Sequence, residues 1–304
     1  MRIELAVLFL FIFLSALTQD AASAKSEWFR FTLSKNLDPG SPADRTKILD
    51  APAGKHGFLK VKSEMFVFED GSPARFWGTN FGSHVSFPSK EEAESLARRI
   101  SFLGFNIVRL HHLDFYDEPG GIFKSGTSEL SPAQLERLDY LVYQLKKYGI
   151  YVNMNLLTMR RFRSGEGVAE AEKIQPGGKP VAFFDPKLIE LQKKYAKDLL
   201  GHKNPYTGLR YAEEPAVAFV ELTNENSLFD FWKWDNLNGY LGGLKKGSIP
   251  PYYVAELDQL WNQQLKEKYG RDSNSKRPLF ATLGILTAAQ RSDIENFYID
   301  LQKD

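Results

Sequence analysis

The chain has 304 residues, 43% hydrophobic and 25% charged, a balance that excludes a disordered polypeptide, a collagen-like fibre or a multi-span membrane protein. Lys+Arg 39 against Asp+Glu 38 leaves a net charge of +1, so no field of one sign exists to hold nucleic acid or an anionic membrane. Cysteine is absent, which removes disulfide scaffolds, thiolate-ligated zinc and thiol nucleophiles together. The 23 Phe, 13 Tyr and 5 Trp provide flat apolar rings of the kind that cores and sugar sites both use.

Residues 1–24 have the pattern of a secretory signal peptide. Met1-Arg2 is a short basic start, Leu5–Leu17 is uncharged, and Ala22-Ser23-Ala24 offers the small residues that a signal peptidase reads. The apolar run falls short of the roughly 20 residues that cross a bilayer. Cleavage after Ala24 and a secreted or periplasmic location are expected, with no stable membrane association afterwards.

Residues 25–73 read as a β-rich lead-in, with alternating strands at Glu27–Leu33 and Phe58–Glu69 and a loop over Asp38–Gly54. Arg75–Phe81 (RFWGTNF) is the next strand candidate. Ser89, with Glu92 three residues on, opens a helix that ends at Leu103 before Gly104. Asn106–His112 (NIVRLHH) follows as a strand. Ser131-Pro132 opens a second helix, Ile150–Leu157 is a strand, Asp185-Pro186 opens a third helix, and Pro215–Leu222 is a fourth strand. This rhythm spells successive βαβ units, hence a parallel sheet, open or closed into a barrel.

In such sheets ligands gather at the strand carboxyl ends. Those ends carry Thr79-Asn80, then Arg109 to His112, Asn153 to Asn155, and Thr223-Asn224-Glu225-Asn226. Neutral amides with one Arg, two His and one Glu suit a polyhydroxylated neutral ligand, and no glycine-rich phosphate cradle is present. Glu225 stands out. A carboxyl leaving a buried strand is desolvated, which favours the protonated form that a general acid needs. Neighbouring strand residues point to opposite faces, so His111 and His112 are expected one in the cleft and one behind it, and no metal site is expected. Phe229, Phe231, Trp232, Trp234 and Tyr240 follow directly, as a packed insertion or as a sugar-stacking wall with Trp232 in it.

TNENS after an apolar strand, FNIVRLHH at the second barrel strand and FWGTNF at the first resemble the retaining TIM-barrel glycoside hydrolases, nearest to family 5, the cellulase-like enzymes. The resemblance covers about residues 56–304. It implies an α/β fold of the (β/α)8 type over residues 74–304, and hydrolysis of a β-linked glycan or oligosaccharide without a cofactor. It also implies Glu225 as acid/base, Asn224 as its substrate-binding neighbour and Arg109 as support for the nucleophile. His111 and His112 would line the sugar site, and Asn155 or Asn153 stands where relatives often have a histidine.

A retaining mechanism needs a second carboxylate about 5 Å from the first. After Glu225 the only glutamates are Glu256, Glu267 and Glu295, all in helix-patterned stretches. With Leu279–Leu283 as a fifth strand, the barrel would still be incomplete at Asp304. The expectation is a truncated chain of about the first four β/α units, carrying the acid/base half of the machinery and inactive and poorly folded alone. A non-catalytic carbohydrate-binding or scaffold protein on the same fold is the alternative.

Overall fold

The computed structural model describes residues 37–233, 249–270 and 286–303. The signal segment, Glu27–Leu33 and Leu279–Leu283 lie outside them. The described elements belong to the compact unit running from Pro39 to Asp304.

The lead-in expected as one strand is a hairpin. Strands β1 (Leu59–Lys62) and β2 (Met65–Phe68) pair antiparallel, with Lys62 opposite Met65. Ser63 takes φ 55° to make the turn, and alternation of period two passes straight through so tight a reversal. Phe68 stacks on Tyr151 at 5.2 Å, and Phe66 meets Phe219 edge-on at 5.4 Å. The hairpin thereby covers the amino-terminal edge of the main sheet.

That sheet is parallel, in the order β3 (Gly78–Gly82), β4 (Ile107–His111), β5 (Tyr151–Leu157) and β6 (Val217–Thr223). Helices α1 (Lys90–Phe102), α2 (Pro132–Lys147) and α3 (Pro186–Leu200) make the three crossovers. Each begins where a side chain captures an orphan amide. Ser89 and Glu92 form a reciprocal capping box, Ser131 accepts from the Gln134 amide, and Asp185 accepts from the Leu188 amide at 2.7 Å.

Alternation decides the two faces of the sheet. Val108, Leu110, Val152 and Met154 are fully buried on one face, in a core shared with Ala93, Ala97, Leu138, Leu141, Leu145 and Leu199 of the helices. The polar residues of these strands, Arg109 and His111, Asn153 and Asn155, Glu221 and Thr223, take the other parity, which they share with the apolar Ile107, Tyr151, Leu157 and Phe219.

A second core lies beyond the carboxyl end of β6. Helices α4 (Leu228–Lys233), α5 (Pro251–Tyr269) and α6 (Ala288–Lys303) pack Leu228, Trp232, Leu257, Trp261 and Phe297 against Leu157, Phe162 and Leu188. Glu256 and Glu267 lie on α5 and Glu295 on α6, so all three are helical, as their spacing predicted.

Candidate active site

The strand register sets the polar residues beside one another. Asn80 is level with Arg109, Arg109 with Asn153, and Asn155 with Glu221. Arg109 donates from Nε to one oxygen of Glu221 and from Nη2 to the other, both at 2.6 Å, and Nη2 also reaches Asn224 Oδ1 at 2.8 Å. A guanidinium only donates, so the Asn224 oxygen must face it and the Asn224 amide hydrogens are left for another partner. The Asn224 backbone amide is tied to the Leu157 carbonyl at 2.8 Å. Arg109 keeps the Glu221 carboxyl below its ordinary range.

Glu225 follows with φ 46°, a left-handed backbone that non-glycine residues rarely adopt. Anchors on both sides impose it: Asn224 on β5, and Ser227, whose hydroxyl caps the Asp230 amide at 3.1 Å and donates to Gln302 of α6 at 3.0 Å. Contrary to the sequence expectation, Glu225 is exposed. It stands at the tip of β6, whose other edge pairs with no described strand, so the burial expected to desolvate it is not provided there.

His111 and His112 do not point to opposite faces. His112 has φ 62°, which swings its ring beside that of His111, with the centroids 3.7 Å apart. Alternation holds only while the backbone stays extended. Burial first, and then neighbouring cationic groups, hold both imidazoles below the ordinary histidine range, so both are neutral at pH 7. Among the described residues no cluster of three metal-ligating side chains occurs.

Two further residues expected at the substrate are not exposed to one. Asn155 is fully buried; its oxygen accepts from the Thr158 hydroxyl, and its amide nitrogen faces Glu221 and His111 without a partner in hydrogen-bond geometry. It supports the site from behind. Trp232 is 3% exposed, with Phe229 at 6.0 Å and Tyr298 at 5.7 Å, so its ring packs α4 onto α6 and is not offered to a sugar. The insertion reading of this aromatic group therefore holds for Trp232; Trp234 and Tyr240 lie outside the described residues.

Sequence reasoning missed two carboxylates. Glu221 was an acid inside an otherwise apolar strand and an even number of positions before Thr223, a signal that pointed it to the inner face. Asp114 is buried and accepts the backbone amides of Thr158, Met159 and Arg160 at 2.8, 3.2 and 3.1 Å, fixing the loop that leaves β5. Burial raises its pKa to about 6 in spite of those three donors. A cavity of about 480 Å³ lies elsewhere, between α1 and α2 beside His84, Phe87 and Arg137, apart from this chemistry.

Parallel βαβ units with an Arg, an Asn-Glu pair and two histidines at their carboxyl ends are the arrangement that the resemblance to the family 5 glycoside hydrolases leads one to expect. Curated relatives agree with that resemblance. The chain is 26% identical over 190 residues to mannan endo-1,4-β-mannosidase 1 of Oryza sativa subsp. japonica, covering 58% of this chain and 42% of the relative. It is 22% identical over 260 residues to mannan endo-1,4-β-mannosidase 5 of Arabidopsis thaliana, covering 76% of this chain and 59% of the relative. The chain thus spans about two-fifths to three-fifths of the length of these relatives. Among solved structures, the endo-1,4-β-mannanase of Rhizomucor miehei matches at 16% identity and TM-score 0.48, over 70% of this chain and 58% of that one. No protein-family profile matches the chain.

Proposed function

We propose that the protein hydrolyses the O-glycosidic bonds of a β-1,4-mannan, with retention of anomeric configuration, and that Glu225 is its acid/base. The observation that carries this reading is the Glu221–Arg109–Asn224 chain of hydrogen bonds, which holds the Asn224-Glu225 tip at the carboxyl edge of the sheet. The substrate class follows the curated relatives, which are named for mannan.

In this reading Glu225 protonates the leaving glycosidic oxygen and then activates the water that completes the turnover. Asn224 turns its amide hydrogens to a sugar hydroxyl, a contact that strengthens as positive charge develops on the ring. The neutral rings of His111 and His112 offer further donors and acceptors. The nucleophile is assigned to none of the described carboxylates. Glu221 is held by Arg109 and Asp114 by three amides, while Glu256, Glu267 and Glu295 project from helices.

The same reading takes residues 1–24 as an export signal, on the strength of the Leu5–Leu17 run and Ala22-Ser23-Ala24. Amino-terminal sequencing of the exported protein should begin at Lys25, and a start at Met1 would refute it. The enzymatic reading is tested by incubating the full-length protein with β-1,4-mannan and following the first products by NMR. The β-anomer should appear first. No hydrolysis, or the α-anomer first, would contradict the reading.

A further inference from the structure

The inner face of the sheet carries two buried polar atoms with complementary needs. Leu110 of β4 is level with Met154 of β5, so one residue further on His111 stands beside Asn155. The two strands run about 4.8 Å apart, and both side chains take the same face. Asn155 is in turn level with Glu221 of β6. The Asn155 amide nitrogen and His111 Nδ1 are both shut off from water, and neither has a hydrogen-bond partner. A buried donor or acceptor left unpaired is costly, and each of these atoms can supply what the other lacks.

The neighbours of Asn155 decide which way its amide faces. The Thr158 hydroxyl can both donate and accept, so by itself it leaves either orientation open. Glu221 does not. Its carboxylate, held by the two bonds from Arg109, only accepts, and it therefore requires the NH2 group of Asn155 on its side. The amide oxygen is then left to Thr158, whose hydroxyl donates to it. Thr158 is itself fixed. Its side chain is fully buried, its backbone amide donates to Asp114 at 2.8 Å, and Gly177 closes over its carbonyl oxygen, where a Cβ would stand 2.6 Å away.

A primary amide has two N–H bonds, so with one turned to Glu221 the other is available to His111. Nδ1 can accept it only when it carries no proton, and the ring proton is then on Nε2. We infer that Asn155 is a positioning residue that fixes His111 as the Nε2–H tautomer, so that the ring donates a hydrogen bond to an oxygen of the sugar bound at this edge of the sheet. This inference rests on the glycan-hydrolase reading above and adds to it the residue that sets the direction of one sugar contact.

The test is the nitrogen-15 spectrum of the histidine rings in the full-length protein at pH 7, with His111 assigned by its loss in H111Q. Nδ1 should be unprotonated and Nε2 protonated. T158V, which has the shape of threonine without the hydroxyl, frees the amide, and N155L removes it. Both should shift His111 toward the Nδ1–H form, while T158S should keep the wild-type tautomer. Added β-1,4-mannohexaose should move the Nε2 signal of the wild type. It should bind T158V roughly 2- to 10-fold more weakly, the scale of one hydrogen bond, and T158S as the wild type. Nδ1–H as the wild-type form, or one tautomer shared by wild type, T158V and N155L, would overturn the inference. So would bound mannohexaose that leaves the Nε2 signal in place, and each of these results would leave the enzymatic reading standing. No binding of any manno-oligosaccharide by the wild type would sink the glycan reading, and the sugar contact with it.

Discussion

Arg109 and Glu221, 112 positions apart in the chain, meet through two parallel N–H···O bonds of 2.6 Å across the inner face of the sheet. Each is only about a quarter exposed, at 23% and 28%, so the pair is partly removed from water and the guanidinium cannot be left unpaired without cost. Through the same nitrogen, Arg109 orients Asn224 directly before Glu225. Replacing Glu221 by Ala should therefore cost about 1–3 kcal/mol of stability by urea unfolding and lower turnover more than tenfold. Loss of stability with unchanged turnover would show that the pair does not position the tip.

The same pair gives a pH dependence of defined sign. The folded-state pKa of Glu221 lies below its unfolded value of about 4.5, chiefly because of the hydrogen bonds from Arg109. The stability it contributes is present above the unfolded value and is lost as pH falls through the folded one. The difference in unfolding free energy between wild type and E221Q should shrink as pH is lowered from 5 toward 3. A difference that grows over that range would contradict the assignment.

Asp114 should behave in the opposite sense. Its folded pKa of about 6 exceeds the model-peptide value of 3.8, because burial outweighs its three amide donors. The folded state then binds the extra proton between those values, so its contribution to stability falls as pH rises from about 4 to about 6. D114N should abolish that slope and also loosen the loop of residues 158–160, read as faster amide exchange there. An unchanged slope in D114N would assign it to another group.

Trp232 separates packing from sugar stacking. Truncation to Ala should cost about 3–5 kcal/mol, the range for a buried Trp, and should loosen α4 and α6 first in hydrogen exchange. Affinity for manno-oligosaccharides, per folded molecule, should change little. A large loss of affinity without loss of stability would restore the stacking role.

The contrast between what was legible in the sequence and what was not follows the range of the interactions. Ser89, Ser131 and Asp185 announce their helices because a cap acts within three residues, and the four parallel strands lie close to their expected positions because apolar runs must be buried. The hairpin at Ser63 and the swing of His112 turn on single backbone angles that no periodicity records. The neighbours of Asn155 and Trp232 in sequence are polar or catalytic, and that alone points both residues to the substrate. Their burial is set by residues far along the chain, among them Glu221 beside Asn155 and Tyr298 against Trp232. The Arg109–Glu221 contact is of the same long-range kind. Register could have suggested it only once the strand order was known.

The central claim, that Glu225 protonates the leaving oxygen, is tested most directly by the leaving-group dependence of E225Q in the full-length protein. Turnover of mannan should fall by roughly 10²–10⁴, the scale for losing a positioned general acid. An aryl β-mannoside with a strongly acidic phenol needs little protonation, so its glycosylation step should fall far less. Equal losses for both substrates would contradict the assignment of Glu225 as the acid.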